Sequence, residues 1–528
     1  MHAIQKGRKL TRSLIAASLA AVLGGSAFGQ EDKDKPKDIE VSGYLQVTAG
    51  WNANKIIETN SKSGQLSELR GQAYLEAVSM NRAMQWKLSG RVAREYKTSY
   101  LERLENLERY GGSASPNPNF NVMDIYNKGE MREAWLQVQP FENLNVKFGL
   151  QQVVWGETDL FQALDVIHGQ NASWGMMLTE PDETRKPLIL LNSTLSVPAA
   201  DGSVQLVLRP GWDAYRNIGL SADVYGGRSR PIGFKGWSSD FYNDYGDLNN
   251  KLTYAVRWKG IAGGANYHLS YVHMPYVRNL IANSVFAPYQ HPPIGSGIAN
   301  WIYPVVNTYG AGVNTYVQPV DTVVTGEVVF TKNEPFNVGS VPGGPSSAAA
   351  CLGPFNVPFA TSFSGACGVK RKNTVMTMLR AEKSIKTMDT LGTSSPMSAN
   401  LQIFHTRVQG FNPADEIVQG VGYPNLVDKS STFASLILRA PFMADKFAPL
   451  FVVGRDFTNQ GTLYILAADY ELGTNWRFHA ELDKFIGNST VQMQTIPGVG
   501  YLPVGGASGI PGWLGDNSRF YLRATYQF

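Results

Sequence analysis

The sequence predicts an all-β chain, a transmembrane antiparallel β-barrel of about 16 strands in a range of about 14 to 18, with long loops on one side. Three observations point there. The end of the chain alternates without a break: Phe520, Leu522, Ala524, Tyr526 and Phe528 fall on one face, and Arg519, Tyr521, Arg523, Thr525 and Gln527 on the other. Period-two segments of the same kind recur along the chain, punctuated by Gly, Pro, Asn and Asp. Beyond the N-terminal region, no stretch stays apolar for the ~20 residues that a spanning helix needs.

At the N-terminus, Lys6, Arg8, Lys9 and Arg12 precede an apolar run from Leu14 to Leu23, followed by small residues around Ser26 to Gly29. That order describes a secretory signal peptide, residues 1–29, cut after Gly29. Residues 30–38 read as a charged, flexible N-terminus, and residues 39–528 as the barrel. A closing strand ending on Phe528 is the form by which outer-membrane insertion machinery takes hold of a barrel. The expected location is the outer membrane of a Gram-negative bacterium, among its lipids and lipopolysaccharide.

Composition agrees with this class. The 53 Gly, 24 Tyr, 24 Phe and 11 Trp supply turns and interfacial aromatics. A hydrophobic content of 43% is ordinary, because a barrel alternates apolar and polar residues. A net charge of +4 over this length leaves no footprint for nucleic acid as a partner.

Strands are expected at Ile39–Trp51, Ser67–Ser79, Gln85–Lys97, Met131–Gln139, Asn143–Val153, Leu188–Val197, Gly202–Arg209, Lys251–Gly260, Gly263–Pro275, Val323–Lys332, Asn373–Ile385, Ala399–Phe411, Ser430–Pro441, Phe447–Asp456, Gly461–Leu472, Asn475–Ile486 and Arg519–Phe528. An even number, normal for single-chain barrels, brings this to about 16. Near the end, Trp476, Phe478, Ala480 and Leu482 alternate with Arg477, His479, Glu481 and Asp483. A Lys or Arg facing lipid at mid-bilayer costs ~2–4 kcal/mol, so the charged row faces the lumen. Arg519 and Arg523 turn inward by the same test, as do Glu76, Arg91, Glu133, Lys147, Arg380, Glu382 and Asp469. The expected lumen is polar and of mixed sign, with most charges paired across neighbouring strands.

Six insertions separate the strands: Tyr100–Glu130, Gly156–Lys186, Pro210–Asn250, Tyr276–Asp321, Asn333–Lys372 and Gly487–Ser518. Long barrel loops are extracellular. Two of these are unusually apolar, and Phe286, Trp301, Tyr303, Tyr501 and Trp513 are their candidates for a hydrophobic uptake site or lid; a self-packed cap is the other reading. Cys351 and Cys367 are the two cysteines of an exported chain, close together in a Gly/Pro/Ser-rich stretch, and a disulfide between them is expected. Loop closure would contribute about 3 kcal/mol.

After Trp155 the alternation breaks at Gly156-Glu157-Thr158-Asp159, and Thr158 is placed to cap a short helix through Leu160, Phe161, Leu164 and Ile167. This helical or loop segment is expected to fold into the lumen and narrow it, or else to pack under the extracellular cap. Trp155, Glu157, Asp159, Phe161 and Asp165 are its constriction candidates, with Arg477, His479, Glu481, Asp483, Arg519 and Arg523 on the wall.

The same stretch carries a resemblance. Arg132, Glu133, Ala134, Gly149, Gln151, Val154, Trp155, Gly156, Glu157, Phe161, Asp165 and Val166 form a hairpin, a Gly-x-Gln-x-x-x-Trp-Gly-Glu signature and a Leu-Phe…Asp-Val-Ile stretch. Together they resemble an uncharacterised family of proteobacterial outer-membrane proteins often encoded beside RND-type exporters of hydrophobic compounds and a periplasmic partner. Residues Gly227 to Phe234 match less distinctively. Where family members often carry Asn-Pro, this chain has His168-Gly169, so that turn need not be built alike. The resemblance implies a pore with an inward-folded segment, a role in moving hydrophobic molecules and an RND-type exporter system as partner.

Catalytic patterns are not found. The histidines of the barrel region, His168, His268, His273, His291, His405 and His479, form no Ser/His or HExxH arrangement, and His268 and His273 point to opposite strand faces. No enzyme activity, metal or cofactor is expected. The function expected is a channel for hydrophobic or amphipathic molecules. The alternatives are a general small-solute diffusion porin and, more weakly, a surface or assembly barrel without transport.

Overall fold

The computed structural model describes residues 39–55, 61–81, 84–110, 121–156, 158, 161–171, 177–212, 218, 252–279, 281, 303–339, 344–345, 360–361, 365, 367–418, 426–487, 492–496, 500–505, 509–515 and 518–528. The expected signal peptide and charged N-terminus lie outside these residues.

Eighteen long antiparallel strands close into one barrel. They are β1 Glu40–Asn52, β2 Leu66–Met80, β3 Met84–Glu95, β4 Lys128–Phe141, β5 Leu144–Gln151, β6 Leu188–Val197, β7 Gly202–Arg209, β8 Thr253–Ala262, β9 Ala265–Pro275, β10 Val305–Val317, β11 Thr322–Val338, β12 Val369–Ile385, β13 Met397–Gln409, β14 Ser430–Arg439, β15 Phe447–Asp456, β16 Thr462–Leu472, β17 Trp476–Ile486 and β18 Arg519–Gln527. Each pairs with its neighbours in the chain, and a two-residue strand, Ile417–Val418, adds to the end of β11. The ring closes where β18 meets β1, in register from Tyr44↔Gln527 to Asn52↔Arg519. Phe528 and Gly43 exchange backbone hydrogen bonds of 3.0 Å. A Cβ on Gly43 would sit 3.0 Å from the Phe528 ring, so this glycine makes room for the terminal aromatic. Among the described residues, closure leaves none of the eighteen barrel strands with an unpaired edge, as the bilayer interior demands.

The phase read from the charged rows holds. Leu482 is 39% exposed and Glu481 0%, and the same contrast separates Leu401 from Gln402 and Phe520 from Arg519. The outer surface is an apolar band that includes Leu45, Val47, Leu269, Ile403, Leu466 and Leu522. One rim carries short connections, such as Glu142-Asn143 and Gly263-Gly264, together with both ends of the barrel sequence. Two of these connections are single 3-10 turns, Pro198–Ala200 and Gln318–Val320, each closed by an aspartate in the left-handed region, Asp201 at φ 44° and Asp321 at φ 49°. The other rim carries the long insertions, one of which begins with an α-helix, Ser99–Tyr110.

Eighteen strands lie at the top of the expected range of about 14 to 18, above its central figure of about 16. The unforeseen strand is β10, which lay inside the expected loop Tyr276–Asp321. Its inward positions include Gly310 and Gly312, so no side chains mark the inner phase there. The glycines have a steric cause: a Cβ on Gly310 would overlap Leu164, and one on Gly312 would overlap the His268 ring.

The lumen is also less uniformly polar than the charged rows suggest. The inner faces of β6 to β9 carry Leu188, Leu190, Val207, Ala255, Val272 and Met274, all buried. Those of β15 and β16 carry Val452, Leu463, Ile465 and Ala467. An apolar inner wall facing water would be costly, so something covers it.

Candidate functional site

The cover is the insertion between β5 and β6. It leaves β5 after Gln151 and returns at Leu188, and in between it touches most of the barrel wall. Val153, Trp155, Val166 and Ile167 pack on the inner faces of β6 to β9. Ala163 and Leu164 join Val329 of β11, Met378 of β12 and Phe404 of β13. Phe161 stands edge-on to Phe433 of β14 at 4.4 Å and to Phe404 at 6.3 Å. The tip reaches β17, where Glu481 Oε1 accepts the backbone N–H groups of Met177 at 2.9 Å and Leu178 at 3.3 Å. On the return, Tyr44 of β1 donates to Glu183 at 3.4 Å. The inward fold expected of this segment is therefore observed. The expected helix after Thr158 is not: the described residues 161–168 are irregular, while Leu160 lies outside them. Irregular backbone suits a segment whose apolar side chains must reach walls on different sides, whereas a helix would put them on one face.

Polar anchors hold it at both ends. The Trp155 indole donates to Gln205 at 3.0 Å, and the Arg257 guanidinium lies 4.8 Å over the ring while donating to the Trp155 carbonyl at 3.2 Å. Arg278 donates to the Ala163 carbonyl. Arg132 of β4 donates to the carbonyls of Asp182 and Arg185, the latter at 2.7 Å. The two arms pair as a short ladder: Lys186 N–H bonds the Gly169 carbonyl and Asn171 N–H the Thr184 carbonyl, each at 2.8 Å. His168 ties them as well. Its Nε2 accepts the Val153 N–H at 2.9 Å and its Nδ1 lies 2.8 Å from the Lys186 carbonyl. Burial pulls its pKa down to about 3, so the ring is neutral, and this geometry puts the one proton on Nδ1. Between the arms, Asp165 and Arg185 form an ion pair of 2.5 Å with both side chains 5% exposed.

That ion pair separates two cavities. The outer vestibule, toward the long loops, has a volume of about 410 Å³. Its wall includes Phe161, Asp165, Phe336, Met376, Phe404 and Phe433, with Glu334, Thr374 and Asn459 among the polar groups. The inner vestibule, toward the short turns, holds about 380 Å³ and is lined by Arg185 with Tyr44, Glu76, Lys87, Arg91 and Arg132. Its wall charges are cross-linked: Lys87 bridges Glu76 at 3.0 Å and Glu133 at 2.7 Å, and Glu130 takes both Arg91 and Arg132. An amphipathic chamber and a charged one thus lie on either side of the inserted segment.

The candidates read from sequence fall into distinct places. Trp155 and Asp165 are buried anchors, and Phe161 lines the outer vestibule. His479, Glu481, Asp483 and Arg519 are buried on the inner wall, and His479 bonds both Asp469 at 2.7 Å and Glu481 at 3.0 Å. Arg477 pairs with Glu471 near the short-turn rim at 3.0 Å, and Arg523 lies one inward position beyond Tyr521 on the same wall. Tyr303 is 1% exposed, packed in the cluster around Trp155. Glu157, Asp159, Phe286, Trp301 and Cys351 lie outside the described residues, as do the side chains of Tyr501 and Trp513. Cys367 is disulfide-bonded. Sequence reasoning did not single out Gln205, Arg185, Phe404 or Phe433. The signal for the last two was present. Strands apolar in both phases, such as Leu436-Ile437-Leu438 and Leu463 to Leu466, mark a wall covered on both sides.

Solved structures match the chain at low identity. Pseudomonas aeruginosa OccK9 (OpdG) matches with a TM-score of 0.45 and 9% identity, covering 93% of this chain and 98% of that one. Acinetobacter baumannii OccAB3 matches with a TM-score of 0.46 and 6% identity over 93% and 100%. A Salmonella typhi OmpF structure, in complex with daunomycin, matches at 0.38 and 8% over 93% and 97%. No curated protein matches the chain. A family described as "Protein of unknown function (DUF1302)" matches residues 10–528, and the chain belongs to that family.

Proposed function

We propose that the protein is an outer-membrane channel for hydrophobic or amphipathic small molecules, with the segment between β5 and β6 as its selecting element. The observation that carries this reading is the outer vestibule, where Phe161, Phe336, Phe404, Phe433 and Met376 line a chamber inside the barrel. Apolar side chains lining a water-accessible chamber gain about 25 cal/mol per Å² when an apolar solute covers them, and a sugar or salt gains nothing from them. The apolar outer band supports the bilayer location. A small-solute porin is the second reading, favoured by the charged inner vestibule. Reconstitution in planar bilayers and liposomes separates the two. The first reading expects low, fluctuating conductance and faster uptake of an amphipathic solute than of a sugar of equal size. Large, steady conductance with equal uptake of both would defeat it.

A further inference from the structure

We infer that the outer vestibule selects amphipathic amines, meaning an apolar or aromatic body carrying an ammonium with N–H donors, over neutral or anionic solutes of the same size. The inference rests on the channel reading above and names its substrate class. Three features of the cavity converge on it.

The first is charge. Glu334, Asp428 and Asp456 line the chamber, and among its described lining residues Arg278 is the one Lys or Arg. Asp165 lines it too, but Arg185 balances that carboxylate from the inner side. Arg278 is turned toward the inserted segment, bonding the Ala163 carbonyl, with Nη1 3.9 Å from Met376 Sδ. His168 adds no positive charge, being neutral and bonded at both nitrogens. A solute inside a low-dielectric wall therefore meets three carboxylates and one guanidinium, a field that favours cations.

The second is an unmet hydrogen-bonding demand. Asp165, 5% exposed and on the chamber wall, gives Oδ2 to Arg185, while Oδ1 has no hydrogen-bond partner. A buried carboxylate oxygen without a donor is costly, and a charged N–H relieves that cost. That oxygen is sealed from solvent, so the wall must yield slightly to admit a donor; an ammonium with N–H groups then satisfies it, and a quaternary ammonium does not.

The third is the aromatic wall of the same chamber. Phe404 and Phe433 each stand edge-on to Phe161, leaving ring surface for an apolar body and for a cation.

The test is calorimetric titration of the full-length protein in detergent with phenethylammonium, hydrocinnamate and phenyltrimethylammonium. Phenethylammonium is expected to bind about tenfold or more tightly than either of the others. Asp428→Asn, at an exposed position, and the isosteric Glu334→Gln should each shrink the preference over hydrocinnamate, while Phe161→Ala should weaken amine binding. Equal binding of hydrocinnamate would overturn the charge argument, and equal binding of phenyltrimethylammonium would overturn the role given to Asp165. Conductance in potassium chloride is read separately. A barrel that conducts without amine preference keeps the channel reading and removes this inference, and one that binds the amine without conducting does the reverse.

Discussion

Replacing Arg185 by Met probes the segment at its weakest-satisfied point. Asp165 and Arg185 are each 5% exposed and meet at 2.5 Å, and neither Asp165 Oδ1 nor Arg185 Nε has a further partner. In Arg185→Met the carboxylate stays buried with no charge opposite it. Breaking one side of a buried pair costs ~3–5 kcal/mol. If that cost falls on docking of the segment, the undocked population rises by roughly two to four decades, at about 1.4 kcal/mol per decade. Arg132 holds the Arg185 carbonyl, not its side chain, so the return arm keeps that anchor. The companion chain Asp165→Leu/Arg185→Met removes both charges, and apolar replacement of a buried pair is often neutral or stabilising. Single-channel recording should show frequent long openings for the single variant and a return toward the parental trace for the double variant. Parental behaviour in Arg185→Met, or a double variant as open as the single one, would refute the assignment of this pair as the latch.

Other sites give sharper tests of separate steps. In Gly310→Val, side-chain atoms would overlap Leu164 and press on Ser270 Oγ, 2.5 Å from the Cβ position. Overpacking of this kind costs about 1–3 kcal/mol, so conductance should rise while the barrel still resists denaturant as before. His168 has a folded pKa of about 3 against an ordinary 6.5. Because the folded value is the lower one, its contribution to docking is full above pH 6.5 and is lost as pH falls toward 3, so conductance should increase on acidification through that window. Arg185 and Arg132 add to that depression, and a His168→Asn chain should show a flatter pH profile. On the lipid side, Leu466→Arg should lower stability in vesicle unfolding by ~2–4 kcal/mol.

Much of the barrel was legible because a lipid wall enforces alternation. In β17 every second residue from Arg477 to Asp483 is charged or titratable, and burial follows that phase. Legibility failed where another element covers the lumen. There the inner phase no longer has to be polar, so β10 shows Gly310 and Gly312, and β16 shows Leu463, Ile465 and Ala467, leaving no alternation to read. The inserted segment itself was visible from the broken period after Trp155. Its anchors were not, because Gln205, Arg257 and Arg278 are far away in sequence and are brought to it only by ring closure. The helix expected after Thr158 failed for a related reason. Phe161, Leu164 and Ile167 have helical spacing but do not share one wall: Ile167 joins the cluster around Trp155, Leu164 the one on β11 to β13, and Phe161 bridges that one and the cluster on β15 to β17.

On the proposed reading, the segment between β5 and β6 sets the width of the pore. The most direct measurement is single-channel conductance of a chain lacking residues 156–170, compared with the full chain in the same bilayer. The deletion removes the contacts of Phe161, Leu164 and Ile167 with the wall and the Asp165 side of the ion pair. A severalfold higher and steadier conductance is predicted, from protein shown by heat-modified gel mobility to be folded and inserted. Unchanged conductance in such a folded, inserted deletion would contradict the account.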